Sequence, residues 1–473
     1  MDRAVSKSQP KGAPQGGIAR PLAPDTLQAT GLDAQFLLRF VLKSAYVTNL
    51  ETPSALAEYV RLPEQVVEEV FEGAKEKRLV EVRGLADTRR SIYRYALTAT
   101  GREWAIEALQ QCKYTGPAPV SLDAYRTQVA AQSITRDQIT PEAIARVLSH
   151  LVLPAGTIER LGPAANSAKA LLLYGPPGNG KTSVAVALGK AFDQAIYLPH
   201  CIEADGQIIR FFDPVVHSAL PAEGRLDAAA RLDPRWVRCR RPVVLTGGEL
   251  TIEMLDLCFD PISNSYEAPA HLKATGGVFI ADDLGRQRVR PLELVNRWIL
   301  PLERRTDFLT LHTGKKIELP FDQLVVFSTN SAPQELIDAA GLRRIAYKFH
   351  VPVPTPTQYE EILQRVCKAQ GLALAEEAIS YLLEDFYPKT GVPISAAHPA
   401  FLIDHVVERC RFQGIEARID VEFMRDAAEN LMVEGEPPPI RRGAASRSPL
   451  PSPERSHARV RHRAGSSDSD TDA

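Results

Sequence analysis

Ala170-Leu171-Leu172-Leu173-Tyr174-Gly175-Pro176-Pro177-Gly178-Asn179-Gly180-Lys181-Thr182 is the stretch on which the reading of this chain turns. Its second half fits G-x-x-x-x-G-K-T, from Gly175 through Pro176, Pro177, Gly178, Asn179 and Gly180 to Lys181 and Thr182. The apolar run before it predicts a buried strand. The amphipathic run after it, opening at Ser183, predicts a helix over 183–192. Glycines let consecutive backbone N–H groups turn toward a phosphate. The helix N-terminus adds the positive end of its dipole. Lysine reaches the terminal phosphates, and the threonine hydroxyl ligates magnesium. A glycine-rich turn that matched by accident would lack the strand and helix on its two sides.

Working outward, Val278-Phe279-Ile280-Ala281 reads as a second buried strand, and Asp282 and Asp283 emerge from its C-terminal end. In an open α/β sheet that end faces the ligand crevice. Asp282 is placed to hold magnesium, and Asp283 to orient or deprotonate an attacking water. Leu324-Val325-Val326-Phe327-Ser328-Thr329 is a third such strand and ends at Asn330, whose amide is suited to positioning that water. Arg343 and Arg344 follow. An arginine pair here suits charge stabilisation in a transition state, on a neighbouring subunit's nucleotide. A polar turn or a solvated basic turn is the plainer reading of each of these sites.

The rest of the chain divides around this core. Residues 1–30 read as a disordered leader, rich in Pro, Gly, Ala and Gln. Residues 31–112 give helical spacing at Leu32, Phe36, Leu37, Phe40 and Val41. A short helix capped at Thr52-Pro53 follows, then a helix with Val66, Val67, Val70 and Phe71 inward. Two alternating strands and a last helix complete that block. Residues 113–135 read as a linker around Gly116, Pro117 and Pro119. Residues 136–350 form the nucleotide-binding domain, with an insertion expected between Thr182 and Val278. Residues 351–433 form a helical domain, and 434–473 a disordered tail. The tail carries seven arginines between Arg441 and Arg463, then Ser466-Ser467-Asp468-Ser469-Asp470-Thr471-Asp472.

Composition narrows the class. The chain has 473 residues, 56 Lys plus Arg against 58 Asp plus Glu, and a formal net charge of −2. That balance argues against a wholesale nucleic-acid binder. Hydrophobic residues are 44% and charged residues 24%, ordinary for a globular protein, which excludes a coiled coil or a fully disordered chain. No apolar run approaches the ~20 residues of a membrane helix, and no secretory signal opens the sequence. Six cysteines, none in a CxxC pair, favour free thiols and a cytoplasmic location over disulfides or zinc.

Taken in order, these motifs resemble the AAA+ ATPase superfamily. Walker A is at 175–182, Walker B at 278–283, sensor 1 at Asn330 and the arginine-finger box at Arg343 and Arg344. The resemblance implies an α/β core with a parallel sheet, a C-terminal helical lid, and ATP and Mg2+ as ligands. Residues 31–112 resemble a winged-helix domain. The stretch 308–319 is similar to the pre-sensor hairpin of the clade holding MoxR-like and NtrC-type ATPases. The chain departs from the superfamily pattern in three places. Walker B ends Asp-Asp, where Asp-Glu is usual. The lid helix at His398-Pro399-Ala400-Phe401 opens without the sensor-2 arginine, and His398 is a candidate substitute. The aromatic-hydrophobic-Gly pore loop of unfoldases is missing from the region expected to hold it, 196–200.

The function these features imply is an ATPase that assembles as a homo-oligomeric ring and remodels a protein or nucleoprotein partner. The partner would be met by the winged helix or the tail. A nucleotide-controlled DNA-binding regulator is one alternative, using Arg89 and Arg90 of the wing. Glu64, Glu68, Glu69, Glu72 and Glu76 on the would-be recognition helix repel phosphate and rank nucleic acid second. A weakly hydrolysing switch or scaffold is the other alternative.

Overall fold

The computed structural model describes residues 19–87, 92–221 and 231–432. At its centre is a parallel sheet of five strands in the order Tyr347–His350, Leu171–Tyr174, Leu324–Thr329, Val278–Ala281 and Val243–Thr246. The three inner strands are short and apolar because both faces are covered, which removes the polar alternation of a half-exposed strand. The helix Lys181–Lys190 covers one face through Val184, Ala185 and Leu188. Trp298, Phe279, Leu294 and Phe327 fill the other. All strands run the same way, so the C-terminal ends of Leu171–Tyr174, Val278–Ala281 and Leu324–Thr329 share one edge.

Residues 34–111 build most of a second core, which Cys201 and Ile208 also enter. Helices Ala34–Thr48, Pro53–Val60 and Glu64–Glu76 precede an antiparallel hairpin, Val80–Asp87 with Ile92–Leu97, and a helix Ala99–Gln111. Leu37, Phe40, Val66, Val70 and Phe71 close that core. Caps follow the residues that announce them. Thr52 Oγ1 accepts from the N–H of Ala55 at 3.4 Å, and Thr98 Oγ1 from that of Gly101 at 3.0 Å.

Between Thr182 and Val278 the chain leaves the central sheet and builds a second one. Its order is Cys258–Asp260, Ser265–Glu267, Gln207–Arg210, Cys201–Ala204 and Val120–Ser121. The last of these strands comes from the stretch 113–135, read from sequence as a linker. That stretch also forms a helix, Leu122–Ala131, whose Tyr125 is fully buried with its hydroxyl 3.1 Å from Thr275 Oγ1. A two-residue strand has no periodicity to detect, and only the second sheet gives it a partner.

One further correction concerns the N-terminal stretch. Residues 19–30, read as part of a disordered leader, are ordered by pairing. Leu22 bridges Leu232, and the N–H of Leu27 donates to Glu69 Oε2 at 2.7 Å. Ile196–Pro199, in the region where a pore loop was sought, pairs antiparallel with Trp236–Cys239. The strand beside Val278–Ala281 is Val243–Thr246. The hairpin expected over 308–319 is present as Thr306–Thr310 with Lys316–Pro320, and its tip rests on the second sheet through Tyr266, Phe259 and Asp205.

Residues 356–429 are helical and pack around Tyr359, Leu363, Leu402, Val406 and Phe423. Among the described residues no helix is long and apolar enough to cross a membrane. Residues 1–18, Arg89 and Arg90 of the expected wing, and the expected tail from 433 onward lie outside the described residues.

Candidate nucleotide site

The turn after Leu171–Tyr174 is tight against its neighbours, and glycine is what lets it fit. Gly175 has φ +145°, and a Cβ there would sit 2.1 Å from the carbonyl oxygen of Val351. Gly178 has φ +73°, and a Cβ would meet Ser395 Oγ at 2.3 Å. At the end of the turn Gly180 is the N-cap of helix Lys181–Lys190, so the loop delivers the helix N-terminus directly into the cleft.

Lys181 is buried and donates from Nζ to the carbonyls of Gly175 at 3.0 Å and Pro176 at 2.8 Å. Burial pushes its ammonium below the usual lysine range, while the carboxylates of Asp282 and Asp283 pull the other way. Thr182 Oγ1 donates to Asp282 Oδ2 at 2.7 Å. These two oxygens are one hundred residues apart in sequence, and the sheet sets them side by side. Asn330 Nδ2 donates to Asp283 Oδ1 at 2.7 Å. Asp283 is held in the left-handed region at φ +53°. The N–H of Leu284 donates to the carbonyl of Ser328, and Thr329 Oγ1 donates to the carbonyl of Leu284, so the turn after the strand is pinned.

A cleft of about 700 Å³ lies over this edge. Pro177, Gly178, Asn179, Gly180, Lys181, Thr182, Ser183, Asp282, Asp283 and Asn330 all face it. Gly175 and Pro176 form the base of the loop beneath. Arg343 and Arg344 do not line it. Arg343 is exposed, and Arg344 donates to Glu303 Oε1 at 3.0 Å and to the carbonyl of Ala340.

The sequence reading missed the other walls. One is the segment His150 to Leu153, between the helices Pro141–Leu148 and Thr157–Ser167. Another is the face of lid helix Pro356–Ala369 that carries Ile362, Val366 and Ala369, with Arg365 beside them. Their i, i+4, i+7 spacing was visible, but Tyr359, Leu363 and Cys367 on the same helix form a second apolar stripe, buried in the lid core. Nothing in the sequence distinguishes the two stripes. Arg365 donates to the carbonyl of Ser149 at 2.8 Å and pairs with Glu361. His398 does not take the place of a cleft arginine. Its Nδ1 is 2.9 Å from the Tyr387 hydroxyl and its ring stacks on Tyr387, facing the lid interior, while Ala396 and Ala397 face the cleft.

The donor set fits a nucleotide polyphosphate and a hard divalent cation. It offers backbone N–H groups at a helix start and one ammonium for the phosphates. The Thr182 hydroxyl and the Asp282 carboxylate, 2.7 Å apart, would hold the cation. A strand, phosphate loop and helix, under a helical lid and beside a strand ending in paired aspartates, define a P-loop nucleotide-binding protein. Within that class its motif order and sheet are similar to those of the AAA+ superfamily.

Several known proteins are similar to this chain at low identity. The chain is 24% identical over 258 residues to spastin of Anopheles gambiae, covering 54% of this chain and 24% of that protein. It is 24% identical over 305 residues to spastin of Drosophila willistoni, covering 64% of this chain and 31% of the relative. The chain thus spans about a quarter to a third of the length of these relatives. A family described as "Domain of unknown function (DUF8689)" matches residues 355–430, the lid. Among solved structures, NtrX from Brucella abortus in complex with ADP aligns at 12% identity and a TM-score of 0.35, covering 59% of this chain and 56% of that one. The Thermotoga maritima RuvB Holliday junction branch migration motor aligns at 13% and 0.32, covering 63% and 73%.

Proposed function

We propose that this protein binds ATP with Mg2+ and hydrolyses it as an assembled oligomer to remodel a protein or nucleoprotein partner. The observation that carries the reading is the double pairing at the sheet edge. Thr182 meets Asp282 and Asn330 meets Asp283, both at the mouth of the phosphate loop. In this reading residues 175–183 cradle the phosphates, and Lys181 leaves the Gly175 and Pro176 carbonyls for the terminal phosphate. Thr182 and Asp282 hold the cation. When bound, Mg2+ neutralises developing charge on the phosphate oxygens. Asp283 accepts the proton of an attacking water, and Asn330 holds that carboxylate in place. Arg343, exposed on its helix, is supplied to a neighbouring subunit, with Arg344 anchored beside it by Glu303.

Residues 31–112 act in this reading as a winged-helix adaptor for a protein. Glu64, Glu68, Glu69, Glu72 and Glu76 are all exposed on the helix that would enter a DNA groove, and they repel phosphate. The relatives named spastin support an ATPase of this superfamily. Nothing in that name assigns this chain a substrate.

The test is steady-state ATP hydrolysis over a range of protein concentrations, with Lys181→Ala as control. Turnover per subunit that climbs with concentration is expected, because Arg343 acts between subunits. Binding of ATP without turnover at every concentration would overturn the reading in favour of a nucleotide switch. One observation favours that second reading. The Asp283 carboxylate is one methylene shorter than the usual glutamate and is already engaged by Asn330.

A further inference from the structure

The N-terminal helix Ala34–Thr48 carries a lysine in an unusual place. Lys43 is 4% exposed. Its ammonium donates to the carbonyl of Cys112 at 2.8 Å and lies 5.2 Å from the Phe40 ring centroid. Among the described residues no carboxylate is ion-paired with it. A buried ammonium without a counter-charge is costly, and proteins rarely retain one without a partner.

Lys43 faces a cavity of about 590 Å³, well apart from the nucleotide cleft and within the range of small-molecule sites. One wall is the N-terminal core, the opposite wall the second sheet. Arg39 lies one turn before Lys43 on the same helix face and also lines the cavity. Its guanidinium donates to Gln111 Oε1 at 3.2 Å and sits over the Trp104 ring, with Glu107 at 3.9 Å on the rim. Two cations at i, i+4 repel one another and leave this wall electropositive. Asp33 is the sole acidic lining residue, and its carboxylate is taken up capping the helix at Gln35 and Phe36.

The remaining walls are flat. Phe36 stacks with Phe40 on the N-terminal side at 6.3 Å. Phe259 stacks with His312 on the opposite side at 4.4 Å, and Tyr266 holds the imidazole. The two walls are stitched together beside the cavity. Asn264 Nδ2 donates to the carbonyl of Gln110 at 2.9 Å, and the N–H of Lys113 donates to the carbonyl of Ser263 at 2.8 Å.

We propose that this cavity binds a small organic anion with a flat ring, an aromatic carboxylate or phosphate. Lys43 and Arg39 hold the anionic group, and the ring lies between the Phe36/Phe40 and Phe259/His312 faces. Amides of Gln111, Gln207 and Asn264 are at hand for ring substituents. Burial holds the Lys43 ammonium below the usual lysine range, with the Cys112 thiol opposing, and a bound anion relieves that cost. The walls come from the N-terminal helices and the second sheet, which already share a core through Ile208, so an occupant would brace the two further against each other.

The test is isothermal titration calorimetry of the full chain with phenyl phosphate and benzoate as probes. Inorganic phosphate serves as the ringless comparison. Each titration is run both without nucleotide and with saturating ADP-Mg, which tells binding in the nucleotide cleft from binding in this cavity. Expected is one site per chain for a ring-bearing probe, with inorganic phosphate at least roughly tenfold weaker, since it forfeits the stacking. Arg39→Gln should weaken the probe by roughly tenfold and Lys43→Met should abolish its binding. Should Lys43→Met fail to fold, Arg39→Gln and Phe259→Leu carry the test, since both side chains are partly exposed. No heat with either ring-bearing probe up to about 10 mM would overturn the proposal. So would undiminished binding in Arg39→Gln and Phe259→Leu, or equal affinity for inorganic phosphate.

Discussion

Asn179 in the phosphate loop accepts, at its side-chain oxygen, a hydrogen bond of 3.0 Å from the backbone N–H of Ala396 in the lid. The same side chain donates to the carbonyl of Pro176, and Ser395 Oγ donates to that of Pro177 at 3.4 Å. One amide therefore braces the loop from within and ties it to the domain that covers it. Lid position and loop geometry are coupled through a residue that touches neither carboxylate.

Replacing Asn179 with Ala should loosen that tie. Losing a buried amide with two partners costs about 1 kcal/mol. The expected result is nucleotide affinity lower by roughly three- to tenfold, with the thermal midpoint of the nucleotide-free protein only slightly reduced. Fluorescent-nucleotide titration beside a melting curve checks it.

Gly175→Ala is expected to be far more damaging. The added methyl would meet the backbone oxygen of Val351 at 2.1 Å, and the residue would also have to hold φ +145°. Backbone does not move aside as a side chain can, so the cost should reach about 3 kcal/mol or more. Denaturant unfolding monitored by circular dichroism measures it. An unchanged midpoint would mean that Tyr347–His350 does not pack against the loop strand as described.

Asp283→Asn offers a clean separation of binding from chemistry. Asn keeps the shape and populates the left-handed region readily, so φ +53° is tolerated. The amide cannot take a proton from water. Hydrolysis should fall by roughly a hundredfold or more while ATP affinity changes only a few-fold. Rapid-quench and equilibrium-binding measurements on the same preparation distinguish the two.

Arg241 and Asp137 form a buried pair between the strand entering the central sheet and the chain leading into that domain, with Nε 2.8 Å from Oδ2. Burial pushes the Asp137 carboxyl up and Arg241 opposes it. Arg241→Met alone should cost about 3–5 kcal/mol by stranding a buried carboxylate, while Arg241→Met with Asp137→Leu should recover much of the loss. The two unfolding curves, compared with that of the parent, give the answer.

Acid should weaken the fold through His200. Burial first, and Arg61 beside it second, lower this imidazole from 6.5 to about 4. The folded form therefore binds the proton less readily than the unfolded chain. Its contribution is complete above pH 6.5 and is lost as pH falls toward about 4, by roughly 2–3 kcal/mol. His200→Phe, which keeps an aromatic edge against Phe212, should flatten that part of the stability profile. Chemical denaturation at a series of pH values tests this.

The phosphate loop was legible because its information is local. Strand, glycines, lysine and helix follow one another within about twenty residues. The two carboxylates and Asn330 were legible because buried parallel strands write themselves as short apolar runs, and their polar ends fall at one edge by topology. The helices of 34–111 were legible from apolar spacing and from Thr-Pro and Thr-x-x-Gly caps.

What the tertiary structure alone decided lies where segments meet. The sequence by itself determined that Thr182, Asp282, Asp283 and Asn330 stand at strand or loop ends. Only the strand register put a hydroxyl on one carboxylate and an amide on the other. The second sheet was hidden because strands of two to four residues carry no usable periodicity, and a strand such as Val120–Ser121 exists only when Cys201–Ala204 offers it a ladder. Which apolar stripe of Pro356–Ala369 faces the nucleotide cleft, and whether Lys43 is bathed in water or sealed against Cys112, are likewise questions of what packs opposite. Local sequence determines what a segment can form, because propensities and caps act within a few residues. Burial and pairing depend on segments a hundred residues away, and so belong to the fold.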